Sequence, residues 1–444
     1  MKKLISLFTV LLMMVMMLAP CASATAGFPL PEEQTIEAQS AILVYLGTTP
    51  AEDVVIFEKD ADAKRSPAAM IRLMVGSVAM KLIREKGINI DTATGTYTME
   101  CNNIISDTGL GVVNMKIGET WTIRDLLSMS IIHTAADACV TLAVELAGSH
   151  AAFVSEMNAL AAEIGCQNTN FANVTGLDSL SQYTTARDMV AIMRHAMDYS
   201  QLTEIMKNEK YTGKDVNSGT ERTYLNVNDM IRRGATSYYS PIQFGRTGVS
   251  GATGACLTAV AQDSGYRYMS VVMGSPSQGG AHYSDTKELL SWAFNGFSYR
   301  SLLTRNEPMG TLDVNLSWDK DKVILVPEKG ISAIVPNALD SSSIHPKIII
   351  EVTGVNAPIN KGDVYGKVEL YIGVDQKIGE DNLVAAESIS RNEVLSAWHK
   401  LKKILTSPWL YITIGGLIML IAAYAVYVII HNRKKRRGKK LDFK

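Results

Sequence analysis

Cysteine is scarce, with five in 444 residues. No two of the five stand in a CxxC pair or any other metal-ligand spacing, which excludes a zinc module or dithiol redox site read from sequence. There is no HExxH, no GKS or GKT phosphate loop, and no GxSxG nucleophile elbow; Gly248-Val249-Ser250-Gly251-Ala252 fails at its last position. The seven histidines are scattered. Low-complexity tracts and internal repeats are absent. With 47% hydrophobic and 20% charged residues, long disorder is excluded too.

Charge is short where nucleic-acid binders have it. The formal net charge is −1, but two lysines precede residue 25 and eight Lys/Arg follow Ile430. The region between carries an excess of ten acidic residues. Such a body is a poor partner for nucleic acid.

The ends are built for membranes. Met1–Ala24 reads as a signal peptide, residues 1–24: Lys2 and Lys3, an apolar run from Leu4 to Leu18, and Ala22-Ser23-Ala24 as a cleavage site. Ala24-Thr25-Ala26 is an alternative cut, and a lipid-modified Cys21 a further one. Residues 409–430, Trp409 to Ile430, lack any charge and are long enough to span about 30 Å of hydrocarbon. Trp409, Tyr411 and Tyr427 suit interfacial anchors, and Arg433, Lys434, Lys435, Arg436 and Arg437 give a positive-inside flank. The expected localisation is the cell membrane: single-pass, anchored by the C-terminus, with the main body extracytoplasmic and a basic cytoplasmic tail, 431–444. The remaining Cys101, Cys139, Cys166 and Cys256 are expected as buried thiols.

Along the chain, Ala41–Tyr45 and Val54–Phe57 predict a hairpin, and Pro67 opens a helix through about Glu85. Trp121–Leu146 predicts a helical region started by Thr122 or a neighbour as cap, Thr185–Met197 another, and Ser284 is expected to cap a helix through Phe294. Ala255–Val260 and Tyr268–Met273 read as adjacent strands. Short β-rich runs recur between Gly310 and Ala385, including Val323–Val326, Ile348–Val352 and Val364–Ile372, predicting a separate all-β domain at 301–386. Residues 387–408 read as a helical stalk, and 25–300 as the main domain.

An ordered set of blocks carries a family resemblance: Arg65-Ser66-Pro67-Ala68-Ala69-Met70-Ile71-Arg72; Gly118-Glu119-Thr120-Trp121-Thr122-Ile123-Arg124-Asp125-Leu126-Leu127; Thr134-Ala135-Ala136-Asp137-Ala138; Gly176-Leu177-Asp178 with Tyr183–Met189; Asn226-Val227-Asn228; Gly245-Arg246-Thr247-Gly248; and Ala357–Gly362. Residues 27–390 thereby resemble the serine-type D-alanyl-D-alanine carboxypeptidases, the low-molecular-weight penicillin-binding proteins. The resemblance implies an α+β fold of the penicillin-binding protein/β-lactamase-like transpeptidase type. An antiparallel sheet is flanked by helices, then followed by a small all-β domain and a C-terminal transmembrane helix.

The departures are chemical. The family's SxxK serine is the nucleophile and its lysine the general base; SxN serine and asparagine relay protons and hold substrate; the KTG lysine attracts the substrate carboxylate. Position by position these become Ala69, Arg72, Thr134, Ala136 and Arg246. A methyl group forms no acyl-enzyme, and a guanidinium does not act as a base. Thr134 keeps a hydroxyl, Ala136 has lost an amide, and Arg246 keeps a charge able to grip a carboxylate, beside the matching Thr247 and Gly248. The expectation is a pseudoenzyme with no intact catalytic set. Arg246, Thr247, Gly248 and Thr134 are left as substrate-binding residues, and no metal or cofactor is implied. Its partners are a peptidoglycan stem peptide or envelope proteins. The alternatives are an active D-Ala-D-Ala carboxypeptidase with a non-standard nucleophile and a purely structural envelope protein. Ser66 and Ser284-Asp285-Thr286-Lys287 are the replacement nucleophiles to weigh. Ser66 has no local base in the sequence, and a helix cap accounts for Ser284.

Overall fold

The computed structural model describes residues 28–32, 34–373 and 376–438. The expected signal peptide and the end of the basic tail lie outside the described residues. The chain divides into two compact units, Met1–Ser298 and Tyr299–Lys444.

In the first unit, β1 (Ser40–Tyr45) and β2 (Val54–Lys59) form the expected antiparallel hairpin. The helix α1 (Arg72–Lys86) follows a 3-10 turn at Ala68–Ile71. It is buried along most of its length, because its sequence is apolar on every side. Gly76 lets neighbours come close: a Cβ there would lie 2.8 Å from the Leu202 side chain. The hairpin-like pair β3 (Thr94–Thr96) and β4 (Thr120–Thr122) encloses α2 (Met99–Ile105).

The run from Trp121 to Leu146 is two helices, α3 (Ile123–Ile132) and α4 (Ala136–Ala147). Thr122 caps α3 as expected, its hydroxyl accepting the Asp125 N–H. The apolar periodicity runs through the break at His133-Thr134-Ala135, so the sequence alone did not mark it. Helices α5 (His150–Glu163), α6 (Ala186–Ala196, capped by Thr185) and α7 (Ser200–Lys207) complete the lobe. A small ribbon of β5 (Lys210–Lys214) and β6 (Glu221–Leu225) follows.

The sheet is closed by β7 (Ile242–Ser250), β8 (Gly254–Asp263) and β9 (Tyr266–Ser275), in the antiparallel order β2-β1-β9-β8-β7. Ser264 and Gly265, at φ 48° and 87°, make the two-residue turn between β8 and β9. The middle strands are buried on both faces, and α6 and α8 (Ala281–Gly296) pack on them. Helix α8 starts earlier than expected. Gly279 and Gly280 both take positive φ and turn the chain into it, so Gly280, not Ser284, is the cap. Asp285 inside α8 accepts the N–H groups of Glu37 and Ala38 and the Ser275 hydroxyl, which latches the N-terminal segment.

The unit boundary falls within β10 (Phe297–Leu303). The second unit holds β11 (Gly310–Asn315), β12 (Lys322–Pro327), β13 (Ile331–Pro336), β14 (Ile344–Ile350), β15 (Gly354–Asn356), β16 (Val364–Ile372) and β17 (Gln376–Ala385). Six of these form one sheet, ordered β14-β16-β17-β12-β11-β15. Alternate residues such as Val323 and Leu325 point into its core. Asn392 caps α9 (Glu393–Leu405), and α10 (Pro408–Gly438) follows. Within α10, Pro408–Arg433 is long and apolar enough to cross a membrane, with mean hydropathy 2.3 and no burial. Cys101, Cys139, Cys166 and Cys256 are all free thiols.

Candidate functional site

Proline at 67 interrupts any regular approach to α1, and Ala68 is left at φ 47°, a left-handed conformation uncommon for a residue with a Cβ. Two glycines make room for this turn. A Cβ on Gly176 (φ 86°) would lie 2.5 Å from the Ala68 carbonyl oxygen, and one on Gly248 of β7 would lie 2.6 Å from the Ala69 nitrogen. Ala69 is therefore wedged between β7 and the loop at 176, half-buried.

The structure brings Ala69, Arg72, the α3–α4 break and Arg246 together, and hydrogen bonds define how. Arg72 is 2% exposed; its Nη1 donates to the carbonyls of Ser130 and His133 and its Nη2 to Thr175, each at 3.3 Å. Arg246 is 1% exposed and donates Nη1 to Ile131 O at 2.8 Å, Nη2 to His133 O at 3.0 Å and Nε to Ala69 O at 3.3 Å.

These partners explain the arrangement. The last carbonyls of an α-helix have no partner within the helix. At the end of α3, Met129 O receives the His133 N–H and Ile132 O the Val227 N–H, while Ser130 O and Ile131 O receive the two arginines. Two cations at a helix C-terminus also complement its dipole. Burial first, and the Arg72 charge second, bring Arg246 down to about 9, which leaves it cationic at neutral pH.

The planar donors of Arg246 are matched inward by three backbone carbonyls, whereas the expected role needs them turned to a peptide carboxylate. Thr247 is likewise turned inward, its hydroxyl donating to Cys256 O at 3.0 Å. Thr134 is half-buried under Gly111; a Cβ on that glycine would lie 2.7 Å from the Thr134 hydroxyl oxygen. Ala136 is buried, and its N–H donates to Gly111 O.

The residue that holds this cover was missed in the sequence. Asp137, 1% exposed, accepts the N–H groups of Val113, Met115 and Ala138 at 3.0–3.1 Å. An acid in the first turn of a helix was the available signal, since it satisfies orphan N–H groups there.

Of the replacement nucleophiles, Ser284 lies in the first turn of α8, and Lys287 stands over the Tyr239 ring at 5.8 Å. Ser66 does have a partner that the sequence did not reveal. Its hydroxyl donates to Asp178 Oδ1 at 2.6 Å, and Asp178 Oδ2 accepts the Ala252 N–H. The Ser66 N–H donates to the Thr253 hydroxyl, so the cluster ties the β7–β8 turn to the approach to α1.

His133, the first residue of the break, shares the field of both arginines. Burial first, then Arg246 and Arg72, hold its imidazole below the ordinary value, against the Leu225 carbonyl and Asp137. Burial depresses His150 and His282 as well. The unfolded chain, with histidines near 6.5, then binds more protons than the folded one in acid. Stability is present above about pH 6.5 and falls as pH drops through that value. The melting temperature is expected to be lower at pH 5.5 than at pH 7.5, with a smaller difference in His133→Gln. An undiminished difference in that variant would remove His133 from the account.

The D-alanyl-D-alanine carboxypeptidase family profile matches residues 28–277, more than half of the chain. The chain belongs to this family. Residues 297–391 match the penicillin-binding protein 5 C-terminal domain. D-alanyl-D-alanine carboxypeptidase DacF of Bacillus subtilis is 27% identical over 393 residues, covering 87% of this chain and 94% of DacF. DacC of Escherichia coli is 26% identical over 362 residues, covering 80% and 86%. The crystal structure of penicillin binding protein 5 from Haemophilus influenzae superposes with a TM-score of 0.61 at 24% identity, over 82% of this chain and all of that one. Penicillin binding protein 6B from Escherichia coli gives 0.59 at 23% identity, over 80% and 97%. These likenesses establish the fold: a penicillin-binding-protein-type α+β domain followed by an all-β domain.

Proposed function

We propose that this carboxypeptidase-family protein does not hydrolyse peptides and serves at the cell wall as a binding or scaffolding component. The observation that carries this is local. Ala69 has no oxygen to attack with, and Arg72, the neighbour in the base position, is a guanidinium enclosed by three carbonyls. Nucleophile and base act as a unit, so losing both leaves at most the residual rate from binding, about 10³–10⁴ over water. Its partners are a peptidoglycan stem peptide or other envelope proteins.

The decisive experiment is intact-protein mass spectrometry after incubation with a β-lactam. No covalent adduct is expected. Ala69→Ser alone stays silent, because Arg72 remains beside it. Slow acylation is expected to need Arg72→Lys, Ala136→Asn and Arg246→Lys as well. An adduct on the unmodified protein would overturn the proposal. The Ser66–Asp178 hydrogen bond favours one competing reading, an active hydrolase, and an adduct mapped to Ser66 would support it.

The same proposal places the body outside the cell, held by α10. Val394, Trp398, Leu401 and Leu405 form an exposed apolar stripe on α9, with Lys400 and Lys403 on other faces. Continuity with α10 suits α9 to the surface of the same membrane.

A further inference from the structure

The all-β unit carries a second candidate site, independent of the altered cleft. The turn from β11 to β12 passes through Leu316 in the left-handed region (φ 63°), and the Asn392 N–H donates to its carbonyl at 2.8 Å. Two residues on, Trp318 is 71% exposed. An indole is a large apolar surface that a soluble domain normally covers.

Directly after it in the chain, Asp319 and Lys320 line a cavity of about 390 Å³, within the usual size of small-molecule sites, roughly 300–1,000 Å³. Its floor is apolar. Ile359 and Ile389, 1% and 3% exposed, pair backbone to backbone there. Its polar lining residues are Asp319, Lys320, Asn360, Ser388 and Ser390.

The charges narrow the ligand class. Lys320 is paired with Glu387, while Asp319 receives, among the described residues, only a long hydrogen bond, 3.4 Å, from Ser390. The remaining rim charge is thus a carboxylate, which disfavours phosphate or carboxylate ligands. One carboxylate without further acidic ligands does not make a hard-cation site. An indole exposed one residue before a cavity that offers an acceptor, an amide and hydroxyls suits a neutral ring. Such a ring has one face of polarised C–H bonds and hydroxyls at its edge.

We propose that Trp318 and the adjoining cavity bind a pyranose ring of a neutral, amide-bearing glycan. The C–H face of the sugar stacks on the indole. Its hydroxyls donate to Asp319, and its acetamido group pairs with the Asn360 amide.

The test uses the full-length protein in zwitterionic nanodiscs and a β-linked N-acetylglucosamine tetramer as probe, with affinity read by calorimetry and contact by saturation-transfer NMR. Saturation of the sugar ring protons is expected. Affinity should fall about tenfold or more in Trp318→Ala and severalfold in Asn360→Ala, each of which should melt as the unmodified protein does. Trp398→Ala, on α9, should leave affinity unchanged. No binding at millimolar tetramer, or equal binding by Trp318→Ala, overturns the proposal. So does a lipid role for the indole, which brominated lipid would reveal by quenching an emission component that Trp318→Phe removes.

Discussion

Arg246→Ala is expected to destabilise the carboxypeptidase-like unit by about 3–5 kcal/mol. Removing one member of a buried hydrogen-bonded charged set has that order of cost, and here three carbonyls lose their donor at once. For a unit of this size the melting temperature should drop by roughly 6–20 °C. Arg246→Lys keeps the charge but not the fork. One ammonium does not reproduce the set of contacts to Ile131, His133 and Ala69, so it should lie between. Arg72→Ala should also destabilise. The double variant should cost more than the sum, because the two cations repel across the shared His133 carbonyl: each single removal gains that relief, the double gains it only once, and only the double leaves the carbonyl without either arginine. The same variants decide the role of Arg246. Thermal melts falling while affinity for a peptide ending in D-Ala-D-Ala stays constant fit an internal cap. Constant melts with affinity lost would restore the carboxylate-binding role.

Gly176→Ala is the second large effect. Its φ of 86° costs an L-residue about 1–2 kcal/mol, and the new Cβ would stand 2.5 Å from Ala68 O, backbone that cannot swing aside. Overpacking of that kind adds roughly 1–3 kcal/mol, for a total near 2–5 kcal/mol. Gly87→Ala is the matched control: φ is 63° but nothing lies within 4 Å of the added atom, so only the backbone strain applies. Thermal melts of the two variants should separate strain from collision. Equal losses would mean that the turn at Ala68 yields readily and is not clamped by its neighbours.

Much of this architecture was legible in the chain. The hairpin at Ala41–Phe57, the helical regions beginning near Thr122 and Thr185 and the β-rich second unit follow from short-range chemistry, which residue order records directly. The convergence of Ala69, Arg72, Thr134, Ala136 and Arg246 was legible only through the family resemblance, because each lies on a different element. Four features were not legible. The break at His133–Ala135 interrupts no apolar period. The start of α8 depends on two glycines whose φ values are set by the fold. The inward path of Arg246 depends on where α3 happens to end, a tertiary fact that no spacing encodes, and the Asp178 partner of Ser66 is 112 residues away.

The arginine-capped end of α3 also bears on the history open to this chain. Restoring lysine at 72 or 246 one at a time strips donors from carbonyls that the surrounding fold now relies on, while no nucleophile is gained. Restoring serine at 69 first brings chemistry no closer, since its neighbour accepts no proton. On the proposed reading each single change toward the family residues is neutral or harmful, and only a concerted set would give acylation. On that reading, loss of activity would behave as a ratchet, with the fold itself holding the pawl.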